Sequence, residues 1–272
     1  MIKLDRGGLA APHPRWRNSV TKAFSDKGGD LANFEAAALA FERRSLASRK
    51  APKGGFLSQA THHLPSHGHL PLKGRPPNTE PFWPPRWRQW SQIKKKLLAI
   101  SLNKCAYCES LSGADQHGQV EHFRPKSIFP TRAYDWDNYL YSCELCNHTK
   151  DNKWPDTGPY PRPDDPAFDP DWFAFDAAGG MSGTAGHAQS QDMVDDFGLD
   201  REGLRAARST MVEEVSQRLE ELLDDLEADG IPRLRQRRYA ARELVGDALP
   251  YSRAINAAVR RVWAAKGDGS PL

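Results

Sequence analysis

Two Cys-X-X-Cys pairs constrain this chain more than any other feature. Cys105-Ala-Tyr-Cys108 and Cys143-Glu-Leu-Cys146 hold all four of its cysteines, with 34 residues between the pairs. A CxxC turn aims two sulfurs at one point, and two such turns complete the tetrahedral thiolate shell that zinc prefers. A shell of four thiolates leaves no open position, so the predicted zinc is structural. Redox dithiols or free thiols are the alternative, and two matching pairs in one local segment favour zinc over them. The ion would tie the end of one helix to the start of a later one and pin the loop between them.

The rest of the composition sets the context. At 272 residues the chain is long enough to bury a substantial core. A mean hydropathy of −0.70, with 27% charged residues, fits a soluble protein. No stretch approaches 18 consecutive apolar residues, so no membrane span is expected. The opening Met1-Ile2-Lys3-Leu4-Asp5-Arg6 lacks an apolar signal core, and a cytoplasmic location is expected. Net charge is +3 but is strongly segregated. Residues 41–104 carry thirteen Lys/Arg against two acids, residues 154–229 five against nineteen, and residues 230–266 nine against two. Charge runs are ordinarily solvated faces. Basic blocks flanking a metal site also suit a polyanion, which makes nucleic acid the expected partner. The acidic block would repel DNA, and is expected to cover the basic site or to face a basic partner.

Periodicity divides the chain into three parts. Residues 1–84 read as an arm, a helix at 30–48 and a basic irregular segment. His62, His63, His67 and His69 in that segment read as surface loop, with a metal role as the alternative. Residues 85–160 form the zinc-knuckle core. They open with a helix at 85–103, whose apolar stripe is Trp87, Trp90, Ile93, Leu97 and Ile100 and which carries Lys94, Lys95 and Lys96 beside it. Residues 161–272 are an acidic loop region followed by helices. The region 154–198 is expected to be mostly loop, with a short strand around 172–175. A long amphipathic helix runs from Asp200 to about 228, with further helices at about 232–247 and 250–266. A homodimer contact, or a contact with a partner protein, on the long helix is the sharper alternative to plain core packing. No Walker-type phosphate loop is present.

The polar residues between and beside the cysteines form a second constellation. His122 follows Glu121 at the end of a strand-like run and titrates near neutrality, so it can take a proton from water. Glu121 and Asn147 are oxygen donors suited to a hard divalent cation, magnesium before manganese. Lys150 lies one helical turn after Asn147, on the same face, where it could meet a phosphate.

In this order the residues resemble the HNH endonucleases, a family with a ββα-metal core. The resemblance implies His122 as the general base, Glu121 and Asn147 as ligands of the catalytic ion, and Asn138 as the residue that fixes the loop and orients the histidine. It also implies Cys105, Cys108, Cys143 and Cys146 as an added zinc knuckle. The last motif position is often His. Here it is Asn147 with His148 following, which leaves open which of the two faces the metal.

Val120-Glu-His-Phe-Arg-Pro-Lys126, Trp136-Asp-Asn-Tyr-Leu140 and Gly198-Leu-Asp-Arg-Glu-Gly-Leu204 further resemble a bacterial subfamily, the PtuB-like nuclease subunits of Septu and retron-linked antiphage defence systems. That resemblance covers roughly residues 85–215 and implies an ABC-type ATPase partner, the other candidate for a contact on the long helix. The expected fold is α+β, a small ββα-metal core with its zinc knuckle embedded in a mainly helical protein. The expected activity is metal-dependent hydrolysis of nucleic-acid phosphodiesters, DNA first. The alternatives are cleavage of RNA such as tRNA, and a non-catalytic zinc module that binds nucleic acid or protein.

Overall fold

A computed structural model describes residues 88–112, 118–126, 128–129, 132, 135–155, 158–228 and 244–265, together with Leu4, Leu39, Tyr239 and Ala241. The His62–His69 cluster and the body of the 30–48 and 232–247 helices lie outside these residues, although Leu39, Tyr239 and Ala241 are helical.

Helix α1 (Arg88–Ile100) packs on a two-stranded antiparallel hairpin of β1 (Gln119–His122) and β2 (Tyr139–Ser142). Ile93, Leu97 and Ile100 are buried, as their helical spacing predicts, while Lys95 is exposed. The register places Glu121 opposite Leu140 and His122 opposite Tyr139. A 3-10 turn (Trp136–Asn138) leads into β2, and α2 (Glu144–Lys150) follows it directly and packs on β1. The architecture is therefore α+β, with the four cysteines at the hairpin's base.

Helix α1 ends three residues earlier than its sequence pattern suggests. Asn103 N donates to Leu98 O (2.9 Å) and Leu102 N to Ala99 O (3.1 Å), a Schellman termination. Leu102 and Asn103 sit at φ 53° and 61°, a left-handed pair that turns the chain into Cys105. The same motif closes α3 (Ala188–Asp196). There Gly198 (φ 59°) donates to Asp195 O and Leu199 to Val194 O.

Region 154–198 holds more regular structure than expected. The strand at 172–175 is present as β3 (Phe173–Phe175), paired antiparallel with β4 (Met181–Gly183), and α3 follows. With only Met193 and Val194 as large apolar residues, α3 has too narrow a stripe to announce itself. The long helix α4 spans Glu202–Ala228, and α5 (Ser252–Ala265) lies against it, with Leu219, Leu223, Ile255, Val259 and Trp263 fully buried between them. Close approach of α4 to the β3–β4 turn requires Gly179 (φ 78°), since a Cβ there would lie 2.3 Å from Arg205 O.

One apolar cluster runs from Leu4 and α1 through the cysteines to Phe168, Met193 and Leu204, so it continues across residue 160. An edge-to-face series of rings threads it. Tyr107 meets Phe197 (4.8 Å), Phe197 meets Tyr160 (4.8 Å), Tyr160 meets Trp154 (5.6 Å), and Trp154 meets Phe123 (5.7 Å). The series joins the first cysteine turn to the residue after His122. Among the described residues no helix is long and apolar enough to cross a membrane.

Candidate functional site

The first cysteine turn is built by the backbone. Cys105 N donates to Ser110 O (2.9 Å), Glu109 N donates back to Cys105 O (3.0 Å), and Ala106 N donates to Tyr141 O of β2 (2.9 Å). The second turn is the start of α2, where the Cys143 sulfur accepts from Cys146 N (3.4 Å) and so caps the helix. All four thiols are buried, and their sulfurs lie within 4.8 Å of one another, with Cys108 and Cys143 at 3.9 Å. A tetrahedral zinc with bonds of about 2.3 Å sets its sulfurs about 3.8 Å apart, so these residues fit that ion. Hydrogen bonding within the cluster, Cys105 foremost, holds Cys143 well down and Cys108 at about 7, while burial pushes Cys105 up.

Sequence reasoning did not single out the residues around this cluster. Arg201 Nη1 donates to Cys146 Sγ (3.6 Å) and to Gly198 O (2.9 Å). Arg208, one of the largest fully buried side chains, interacts electrostatically with Cys108 and Glu109. A four-thiolate zinc carries a net charge of −2, and these two arginines on and before α4 oppose it. The Gly198–Leu204 motif contained Arg201, but nothing in its spacing showed that the guanidinium turns toward sulfur. Ser110 (3.0 Å from Cys108 Sγ) completes the set.

A second network hangs on Glu109, which is buried at φ 63°. Its Oε2 accepts from Ser252 Oγ (2.9 Å) and Arg253 N (3.2 Å), so it caps the N-terminus of α5 from the cysteine turn. Lys104 donates to Leu249 O (2.9 Å), Ser252 Oγ (3.2 Å) and Asp247 O. Burial pushes the Glu109 carboxyl up, while Lys104 and the Ser252 hydrogen bond draw it down, and it lies below the usual range.

The polar constellation lies between β1 and α2. Residues two apart on a strand share a face, as do residues three apart on a helix. Gln119 and Glu121 accordingly meet Asn147 and Lys150 in two rungs. Asn147 Nδ2 donates to Gln119 Oε1 (2.6 Å), and Lys150 Nζ pairs with Glu121 Oε1 (2.5 Å). The Asn147 and Lys150 face thus lies against β1, half-buried at Asn147 and fully buried at Lys150. Lys150 is completely buried and also donates to His122 O (3.0 Å), which places it behind the constellation and away from solvent. Burial raises the Glu121 carboxyl, opposed by Lys150 and Lys126. His148 is exposed on the other side of α2 and lines a separate cavity with Cys143 and Arg201.

His122 is half-buried, its ring edge-on to Tyr139 at 5.1 Å. Asn138 braces the chain just beyond it. Asn138 Oδ1 accepts from Arg124 N (2.8 Å), its Nδ2 donates to Arg124 O and Arg132 O (both 3.0 Å), and its carbonyl accepts from Phe123 N (2.9 Å). The fold thus brings Glu121, His122, Asn138, Asn147 and Lys150 to one hairpin and the helix that follows it, between the two cysteine pairs and just beyond the second.

No family model matches the chain. Over 59 residues it is 46% identical to the Septu protein PtuB of Bacillus thuringiensis, a match covering 21% of this chain and 23% of that protein. Over that segment the chain is similar to Septu protein PtuB. A second Septu protein PtuB, from Bacillus mycoides (strain KBAB4), is 32% identical over 77 residues, covering 23% of this chain and 26% of the relative. The matched segment thus spans about a quarter of either PtuB protein.

Proposed function

We propose that the chain is an HNH-type endonuclease that hydrolyses phosphodiester bonds in nucleic acid, DNA first, as a subunit of a Septu-type antiphage defence system with an ABC-type ATPase as partner. The observation that carries the reading is the pair of rungs between β1 and α2, which puts Glu121 and Asn147 in successive rungs of one strand–helix seam, with His122 at the strand's end. The PtuB relatives support the defence role. The Lys94–Lys96 run, on a helix packed against the same hairpin, supports a polyanionic substrate.

Glu121 and Asn147 offer hard oxygen donors of the kind magnesium accepts alongside water and substrate phosphate, and they are the residues that would hold it. When bound, such an ion stabilises charge on the phosphate and on the leaving 3′ oxygen. In this reading a ring nitrogen of His122 takes the proton of the attacking water. Asn138 keeps the chain after His122 in place through its bonds to Arg124. Lys150 is a positioning residue that fixes the Glu121 carboxylate and the His122 carbonyl. Asn147, not His148, serves the ion, since it is Asn147 that faces β1.

The test is to incubate the purified chain with plasmid DNA or total tRNA and magnesium, with and without the product of the neighbouring gene. Cleavage is expected for the native chain, and a loss of at least about 100-fold for His122→Ala at unchanged zinc content. Full activity in that variant would overturn the mechanism. Binding without turnover in the native chain would overturn the enzyme reading.

A further inference from the structure

A cavity of about 460 Å³ opens one residue beyond His122, at Phe123 and Arg124. Its walls include Phe168 and Trp172, and His187 stacks on Trp172 with ring centroids 4.0 Å apart and planes within 17°. The acidic and basic part of its lining is Asp137, Asp164, Asp165, Arg124 and Arg162. Both arginines are anchored. Arg162 lies over the Phe123 ring (5.2 Å) and pairs with both carboxylate oxygens of Asp164, while Arg124 lies over Phe129 (5.6 Å) and Trp154 (5.8 Å). Asp165 accepts from Ala167 N (2.8 Å), which holds its carboxylate in a fixed turn.

Size, wall and charge together narrow the ligand. The volume lies in the range of small-molecule sites, which are apolar and aromatic with a few placed polar groups. Three carboxylates against two guanidinium groups give the lining a net charge of −1, which disfavours a phosphate. Stacked rings favour a flat, uncharged π system. Carboxylates accept hydrogen bonds from the exocyclic amines of cytosine, adenine and guanine, whereas thymine and uracil offer none.

We infer that this cavity is a nucleobase subsite, taking one unstacked, amino-bearing base of the substrate strand. The inference rests on the nuclease reading and adds a specificity element to it. Phosphate is left to the hairpin seam, and the base extends the stack that His187 and Trp172 already form.

The test is calorimetric titration of the full chain with cytidine, uridine, inorganic phosphate and N-acetyl-arginine amide, in native form and as His187→Ala, His187→Phe and Asp165→Asn. Cytidine is expected to bind more tightly than uridine, and phosphate is expected not to bind at this cavity. His187→Ala should weaken cytidine by about 5- to 100-fold, the range for loss of one base–aromatic stack, while His187→Phe retains it. Asp165→Asn should reduce the preference for cytidine over uridine. Absence of cytidine binding, or equal binding by His187→Ala, overturns the inference. Tighter binding of the arginine amide overturns it in favour of a basic-peptide site. If nucleic acid is cleaved but cytidine does not bind, the subsite alone fails. If cytidine binds as described but no nucleic acid is cleaved, the nuclease reading alone fails.

Discussion

Lys150 shows how a residue's number and its surroundings can point in different directions. Its spacing from Asn147 places both on one helical face, and the fold turns that face inward, onto Glu121 and Gln119. A buried ion pair contributes little net stability, but removing one partner leaves a charge without compensation. Lys150→Met is therefore expected to cost about 3–5 kcal/mol in urea unfolding. Adding Glu121→Leu should recover part of that loss. If the single variant matches the native midpoint, the pair is not structural. Glu121, His122, Asn138 and Asn147 stand out in the sequence because each has a place in a short ordered motif. Arg201 and Arg208 do not, because an arginine's target depends on which helix lies opposite.

Two helix ends use the same hydrogen-bond pattern with different residues at the left-handed position. At Gly198 the signal is visible in sequence, since glycine adopts that conformation without penalty. At Leu102 it is hidden, and the helix pattern appeared to run on to 103. Leu102 is 40% exposed, so little packing is lost on truncation. Leu102→Gly is expected to stabilise the protein by about 0.5–1 kcal/mol, read as a raised urea midpoint. A fall would mean that the leucine packs more than its exposure implies.

The cap on α5 is also an element-scale device, because Glu109 reaches it across 144 residues. Its folded pKa is depressed, so the stability it contributes is present above the ordinary glutamate range near ~4.3 and lost as pH falls through the folded value. Glu109→Gln should accordingly be less stable than the native chain at neutral pH. The gap should narrow below about pH 4. A constant gap across that range would show that charge plays no part.

At the scale of the molecule, the cysteine cluster joins parts that have no other local reason to meet. The first turn carries Glu109 to α5, the second starts α2, and Arg201 brings α4 to the sulfurs. Metal binding at such a site supplies folding free energy on the order of 10 kcal/mol. Cys143→Ser, or chelation of the native chain, should release one zinc per chain and unfold the hairpin and α2 together, as followed by near-ultraviolet dichroism and elemental analysis. A zinc-free chain with native dichroism would remove the structural role. The sequence by itself determined the two cysteine pairs, the Ile93, Leu97 and Ile100 stripe of α1, the short β1 run and the order of the polar motif, because cysteine spacing and apolar period are local properties. The tertiary structure alone decided that the Lys150 side chain is buried, that Asn147 and not His148 turns to β1, and that an aromatic cavity opens at Phe123 and Arg124. Each of these depends on which surfaces meet across long separations, and an acidic, proline-rich stretch such as 154–198 has no periodicity from which that can be read.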